Sequence, residues 1–259
     1  MLIAQLSDPH IWPAGGGPEK AAHTANLRQA VRQVNALRPD CVLLTGDLVN
    51  AGSEDEYAAL VEALAPLDAP VYPLPGNHDD RGAFRAAFPG RPELGRDGFI
   101  QYAVEDFPLR ILVADTLVPG AAGGELCGER LDWLAARLGE APVRPTLIAL
   151  HHPPFETGIA AMDAIGLEGA AALAGIVARH AQVEAVVAGH LHRHIVHRFA
   201  NCVAMTAPST AFLLALDLEP KATLGRSAEP AAFLLHRWRA DSGLVTHVCP
   251  LGDFGYEKV

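Results

Sequence analysis

No apolar run in this 259-residue chain is long enough to span a bilayer. The opening apolar stretch, Leu2 to Leu6, is too short for the core of a secretory signal and has no basic flank. Cysteine is scarce and unpatterned. Cys41, Cys127, Cys202 and Cys249 form no C-x-x-C pair and sit in apolar surroundings. That favours buried free thiols in a reducing compartment over a disulfide or zinc framework. Positive charge is also short, because 20 Lys and Arg against 30 Asp and Glu leave a formal net charge of −10. Such a surface repels phosphate backbones, and no basic stripe interleaved with aromatics offsets it. The expectation is a soluble cytoplasmic protein with no membrane span and no stable nucleic-acid partner. A small phosphate ester stays open as substrate, since bound cations would reverse the charge locally.

What is present is apolar mass and histidine. Half of the residues are hydrophobic, enough for one domain over residues 1–259 with a large core. No sharp linker, repeat or low-complexity tract interrupts it. Strand-like runs at Leu2–Leu6, Cys41–Leu44 and Val71–Leu74 alternate with helical spacing over Lys20–Leu37 and Ser53–Leu64. Ser53 with Glu56 is a capping-box signature. Two strands are expected between Phe99 and Ala114. A helix over Glu129–Leu138, a strand over Thr146–Leu150, a helix over Leu167–His180 and a strand over Val183–Ala188 follow. This order is that of βαβ units in an α/β fold, where ligands bind at the carboxyl edge of the strands. Beyond His192 the segments shorten to Ile195–Phe199, Cys202–Thr206, Phe212–Leu216, Ala231–Trp238 and Leu244–Val248. These predict strands from about residue 200 to 259 that complete a second sheet. Phe212–Leu216 is unusually apolar and is expected to serve association into a homodimer or higher homo-oligomer.

The histidines fall where strands end. Asp8 and His10 follow the first strand, Asp47 the second, Asn77-His78-Asp79 the third, His151 a later one, and His190 and His192 the last of the alternating series. Residues i and i+2 of an extended segment point the same way, so Asp8 with His10, and His190 with His192, can each aim at one centre. Oxygen and imidazole donors without thiolate suit Mn, Fe, Co or Zn in divalent or trivalent form. Seven donors exceed the need of one tetrahedral ion and suit two, with Asp47 able to bridge them. Two such ions clamp the attacking and leaving oxygens of an in-line displacement at phosphorus and make a hydroxide nucleophile available at neutral pH. Gly46, Gly76 and Gly189 each precede a ligand, where a missing side chain permits tight turns.

The ordered set Asp8-Pro9-His10, Gly46-Asp47, Gly76-Asn77-His78-Asp79, His151 and Gly189-His190-Leu191-His192 resembles the calcineurin-like metallophosphoesterases. Cys127–Leu138, His151–Phe155, Met162–Ile165, Ala207–Thr210 and Leu235–Trp238 look like their bacterial cyclic-nucleotide and glycerophosphodiester phosphodiesterase subgroup. The resemblance implies a four-layer αββα sandwich of two mixed β-sheets flanked by helices, with the metals at one edge. It implies that Asp8, His10 and His192 hold one metal, that Asn77, His151 and His190 hold another, and that Asp47 bridges. It makes His78 the phosphate contact or general acid, oriented by Asp79. The chain departs from the subgroup at Phe212, where a substrate-contacting His often stands.

The expected activity is hydrolysis of a small phosphodiester, either a cyclic nucleotide or a glycerophosphodiester. A phosphomonoesterase or protein phosphatase would use the same site. A nuclease conflicts with the acidic charge, and a non-catalytic scaffold conflicts with the complete ligand set. Of the other histidines, His23, His152, His194 and His197 are expected beside ligands or on solvated faces, and His236 and His247 on strand surfaces. Trp12 with Gly15-Gly16-Gly17 either borders the substrate pocket or merely connects elements.

Overall fold

The structure is a computed structural model that describes residues 1–13, 15 and 17–255. The chain opens with β1 (Leu2–Leu6), α1 (Pro18–Leu37), β2 (Cys41–Thr45), α2 (Glu54–Leu64) and β3 (Val71–Leu74). It continues with α3 (Arg81–Ala87), a 3-10 turn (Pro92–Leu94), β4 (Tyr102–Val104), β5 (Arg110–Val113) and β6 (Gly124–Glu125). Then come α4 (Gly128–Glu140), β7 (Thr146–Ala149), α5 (Ala160–Asp163), β8 (Leu167–Glu168), α6 (Ala170–Val177) and β9 (Val183–Ala188). Four strands close it: β10 (Ile195–Phe199), β11 (Cys202–Thr206), β12 (Ala232–Arg239) and β13 (Gly243–Pro250). Among the described residues no helix is long and apolar enough to cross a membrane.

Two mixed sheets form, in the orders β13-β12-β1-β2-β3 and β10-β11-β9-β7-β5-β4, with β6 and β8 as a small parallel pair. The inner strands of both sheets run parallel. In the second sheet the two-residue period of strands sorts side chains into two cores. Ile111, Leu147, Ala149, Ala185 and Val187 join the cluster holding β1, β2, α1 and α2. Leu112, Ile148, Val186 and Ala188 join α4 and α6 instead. Helices thus cover the outside of two facing sheets, as the αββα expectation has it.

The capping box of α2 forms, with Ser53 accepting from the Glu56 N–H and Glu56 accepting from the Ser53 N–H. Other expectations need correction. β12 and β13 do not complete the second sheet; β12 pairs antiparallel with β1 and extends the first. Alternation marks a strand but does not say which open edge receives it. Phe212–Leu216 is no strand and makes only one bridge, Leu214 to Arg226. Leu213 and Leu214 are buried, while Leu216 at its end is exposed. Leu167 and Glu168 pair with β6 rather than starting a helix, which begins at Ala170. Of the four unpaired cysteines only Cys41 is fully buried.

Candidate metal centre

All nine expected site residues lie in loops that follow the carboxyl ends of β1, β2, β3, β7 and β9. Five of them leave the extended region. Asp8, His10, Asp47, His190 and His192 have φ of 49°, 42°, 49°, 70° and 53°, a left-handed region that L residues adopt rarely and that clusters at functional sites. The loops are locked by backbone bonds from Asp8 N–H to the Gly46 carbonyl (3.1 Å) and from His10 N–H to the Asp47 carbonyl (3.0 Å). At Gly46 (φ 87°) an added Cβ would lie 2.3 Å from Nδ1 of His151, and at Gly76 2.3 Å from Oδ1 of Asp47. Neither position has room for a side chain.

The pairs behave differently from the expectation that each serves one centre. Asp8 and His10 do gather, together with His192. His190 turns away from His192 and joins His151 and His152. The kinked backbone, rather than strand alternation, decides where each ring goes.

Ring tautomers follow from the partners. A carbonyl can only accept, so the ring nitrogen facing one carries the proton. His192 gives Nδ1–H to the Phe212 carbonyl (3.1 Å), which leaves Nε2 as a lone pair 3.0 Å from Nε2 of His10. His151 gives Nδ1–H to the Thr45 carbonyl (2.8 Å), and its Nε2 lies 3.2 Å from Oδ1 of Asn77. His190 gives Nε2–H to the Ile165 carbonyl (3.2 Å). Asp47 faces both groups with different oxygens, Oδ2 at 3.6 Å from His10 Nε2 and Oδ1 at 3.4 Å from His151 Nε2. Convergent lone pairs and carboxylate oxygens fit cations, and outer carbonyls that fix the imidazoles are the usual support for such ligands.

The electrostatics agree. Burial holds His190 and His192 down at about 3 and His10 well below the ordinary imidazole value. All three are therefore neutral, the ligating form. Burial alone would raise Asp47, but the charge of His151 and its hydrogen bond overcome it and hold the carboxyl well below the usual range. Burial lowers His151 too, and Asp47 more than reverses this, to about 9. Burial lifts Asp8 to about 7, against the pull of His151. Before any cation arrives, the site is a set of buried charges held in place by one another.

His78 is exposed at the cavity rim. Its Nδ1–H goes to the Asn50 carbonyl (2.7 Å), its backbone N–H to Oδ1 of Asp47 (2.9 Å), and its ring edge meets His10 with centroids 4.7 Å apart. Asp79 does not orient it. That carboxylate accepts from Tyr57 O–H (2.7 Å) and from the Gly76 (2.8 Å) and Leu48 (3.2 Å) N–H groups. It ties the β3 loop to the β2 loop and to α2, and the Asn50 carbonyl orients His78. His152 packs on His190 at 4.5 Å, but Thr116 Oγ1 (2.8 Å) and the Ala122 carbonyl (3.1 Å) occupy both its nitrogens. His23 reaches the His10 carbonyl (2.9 Å).

A cavity of about 270 Å³ opens over these groups, with Trp12, Phe212, Leu214, Leu224 and Arg226 on one wall. Phe212 lies on His192 at 4.5 Å, and the Arg226 guanidinium lies over Phe212 at 4.0 Å while pairing with Glu19. Sequence reasoning did not find Arg226, Ser7, Thr45 or Asn50 as site residues. Backbone carbonyls leave no trace in residue type, and Arg226 is remote from every motif. Trp12 lines this cavity, whereas Gly15 and Gly17 line a neighbouring one with Lys20, and Gly16 lies outside the described residues.

Residues 1–194 match the family model described as calcineurin-like phosphoesterase. A protein of Arcobacter nitrofigilis named probable glycerophosphodiester phosphodiesterase GpdQ is 33% identical over 98% of this chain and 94% of its own. A probable cyclic nucleotide phosphodiesterase of Rhodococcus erythropolis is 33% identical over 97% of this chain and 84% of its own. The solved structure of a dimetal phosphatase from Danio rerio superposes with a TM-score of 0.67 at 18% identity, covering 97% of this chain and 99% of that one. That likeness is one of fold.

Proposed function

Because the chain belongs to the calcineurin-like phosphoesterase family, we propose that it is a two-metal phosphodiesterase acting on small phosphodiesters. The observation that carries this is Asp47, whose two oxygens face His10 on one side and His151 on the other. Asp8, His10 and His192 would hold a first cation and Asn77, His151 and His190 a second, with Asp47 placed to serve both groups. When bound, the cations supply Lewis acidity toward the phosphoryl group and lower the pKa of water; Fe, Mn, Zn and Co all suit these donors.

The chain's own residues do the rest. The buried ligands exclude bulk water below the cavity. His78, with Nδ1–H held by Asn50, turns Nε2 toward the cavity, where as imidazolium it donates a proton to the leaving oxygen. Arg226 is the one guanidinium or ammonium among the described residues lining the cavity. Paired with Glu19, it covers the wall with a guanidinium plane and N–H donors that suit neutral or heteroaromatic alcohols better than one carrying a fixed cation, such as choline. The Phe212 face is already covered by Arg226, and the Trp12 face by Lys20 Nζ at 3.6 Å, so neither ring is free to cage a substrate cation. Nucleoside phosphodiesters, cyclic ones among them, fit this wall better than glycerophosphocholine.

A turnover panel on protein reconstituted with each metal tests the reading. It compares cyclic nucleotides, glycerophosphodiesters, and bis- and mono-nitrophenyl phosphate. Faster turnover of diesters is expected; preference for the monoester would replace the reading by the phosphomonoesterase one. A homo-oligomer and a cytoplasmic location belong to the same proposal, and a light-scattering mass equal to one chain would remove the first.

A further inference from the structure

A row of polar groups, half-buried at Thr246 and buried from His236 inward, crosses the first sheet from its edge to Asp8. Thr246 Oγ1 meets His236 Nδ1 (2.8 Å), His236 Nε2 meets Gln5 Oε1 (3.0 Å), Gln5 Nε2 meets Thr45 Oγ1 (3.0 Å), Thr45 Oγ1 meets Ser7 Oγ (2.7 Å), and Ser7 Oγ meets Asp8 Oδ2 (2.6 Å). Gln5, Ser7, Asp8, Thr45 and His236 have no exposed surface. The strand-surface role expected for His236 is therefore wrong: β12 pairs with β1 and turns this ring inward.

The direction of every bond can be derived. As a metal ligand Asp8 is a carboxylate and only accepts, so Ser7 donates to it. Ser7 must then accept from Thr45, whose hydroxyl has one proton, so Thr45 accepts from the Gln5 amide. The Gln5 amide is fixed the right way round by the Ala188 carbonyl, which also accepts from its Nε2 at 2.9 Å. Gln5 Oε1 therefore accepts from His236 Nε2–H. A neutral ring then has Nδ1 as acceptor, and Thr246 donates to it. All five bonds point toward the carboxylate, an alignment in which each polarises the next. An apolar interior would have been simpler to pack, and a disordered polar set would not align.

We infer that Thr246, His236, Gln5, Thr45 and Ser7 form a positioning relay that aims Asp8 and sets the affinity of the first cation. The inference rests on Asp8 being a ligand, as proposed above. It makes the C-terminal hairpin of β12 and β13 a working support of the metal centre, although no residue of it touches a cation.

The test is calorimetric titration of metal-free full-length protein with Mn²⁺, resolving two dissociation constants. Thr45→Val, which keeps nearly the same shape, and His236→Phe should each weaken one site by about 10–100-fold, the usual cost of losing an outer partner of a ligand. The other site should hold its affinity. Thr45→Ser and His236→Gln keep a donor and an acceptor and should restore the weakened site. If His236→Phe does not fold, the Thr45 pair carries the test. Wild-type affinities at both sites in Thr45→Val would overturn the relay. So would equal weakening of both sites, or failure of Thr45→Ser to restore, since either indicates loss of packing. A wild type that binds fewer than two ions defeats the two-metal reading itself, and the relay with it.

Discussion

The loops that end β1, β2, β3, β7 and β9 and the segment from Phe212 to Ser227 face the same cavity but are built on opposite plans. In the loops nearly every donor is buried and has a fixed partner behind it. His192 leans on the Phe212 carbonyl, His151 on the Thr45 carbonyl and Asp8 on Ser7. The segment is joined at its base by Ser227 N–H to the Leu213 carbonyl and Ala215 N–H to the Gly225 carbonyl, each 2.8 Å. Beyond that base it exposes Leu216, Leu218 and Leu224. Reacting groups need to be held closely, and rigid supported loops supply that. The groups that meet the variable part of a substrate sit where the chain is free to differ. The two meet at Phe212, whose carbonyl serves His192 while its ring carries Arg226, and at Leu214, whose carbonyl accepts from Arg193 (2.6 Å).

This contrast breaks first at Asp47. Asp47→Ala should empty both sites in elemental analysis and lower turnover about 10⁴-fold, because a metal supplies several kcal/mol of transition-state stabilisation. Two ions still bound would remove the bridge. Next is His78→Ala, which should keep two ions yet lower turnover roughly 10²–10³-fold, most for poor leaving groups; equal loss on good and poor leaving groups would exclude the acid role. On the segment's side, Arg226→Glu should raise the kcat/KM ratio of glycerophosphocholine to glycerophosphoglycerol about fivefold or more, the size expected for a rim charge. The ratio cancels any loss common to both substrates, and Arg226→Lys should leave it near wild type. An unmoved ratio would detach Arg226 from substrate choice.

The smallest expected effect is on stability in acid. Burial holds His236 at about 3 in the folded chain, with His194 adding to the shift, against about 6.5 when unfolded. Between these values the unfolded state binds the extra proton, so stability falls as pH drops through that window. At pH 5–6 the slope from this ring is roughly 1 kcal/mol per pH unit. Denaturant unfolding of His236→Gln should show a shallower pH dependence by that amount; the same slope in both proteins would mean that the ring is not held neutral.

Most of the candidate metal centre was legible in the sequence for a plain reason. Asp, Asn and His are common metal-ligand types, and a ligand at a sheet edge follows a strand, so Asp8, Asp47, Asn77, His151 and His192 stand out by type and place, and the fold brings them together at that edge. The bounds of β1, β3, β9, β10 and β11 also agree with the apolar runs. The supports were not legible. Thr45, Asn50, Ile165 and Phe212 act through carbonyls that every residue has. By sequence Asp79 belongs with its neighbour His78, whereas the fold gives it Tyr57, 22 residues away. His236 reads as a surface residue until β12 is known to pair with β1, and the alternation of a strand does not reveal its partner.

A pair of cations joined through Asp47 is the core of the proposed function. Paramagnetic resonance of protein loaded with Mn²⁺, alongside elemental analysis, tests it directly. Two ions per chain and the broadened spectrum of an exchange-coupled pair are expected in the wild type, with the coupling lost in Asp47→Ala. One ion per chain with the spectrum of an isolated Mn²⁺ in the wild type would contradict it.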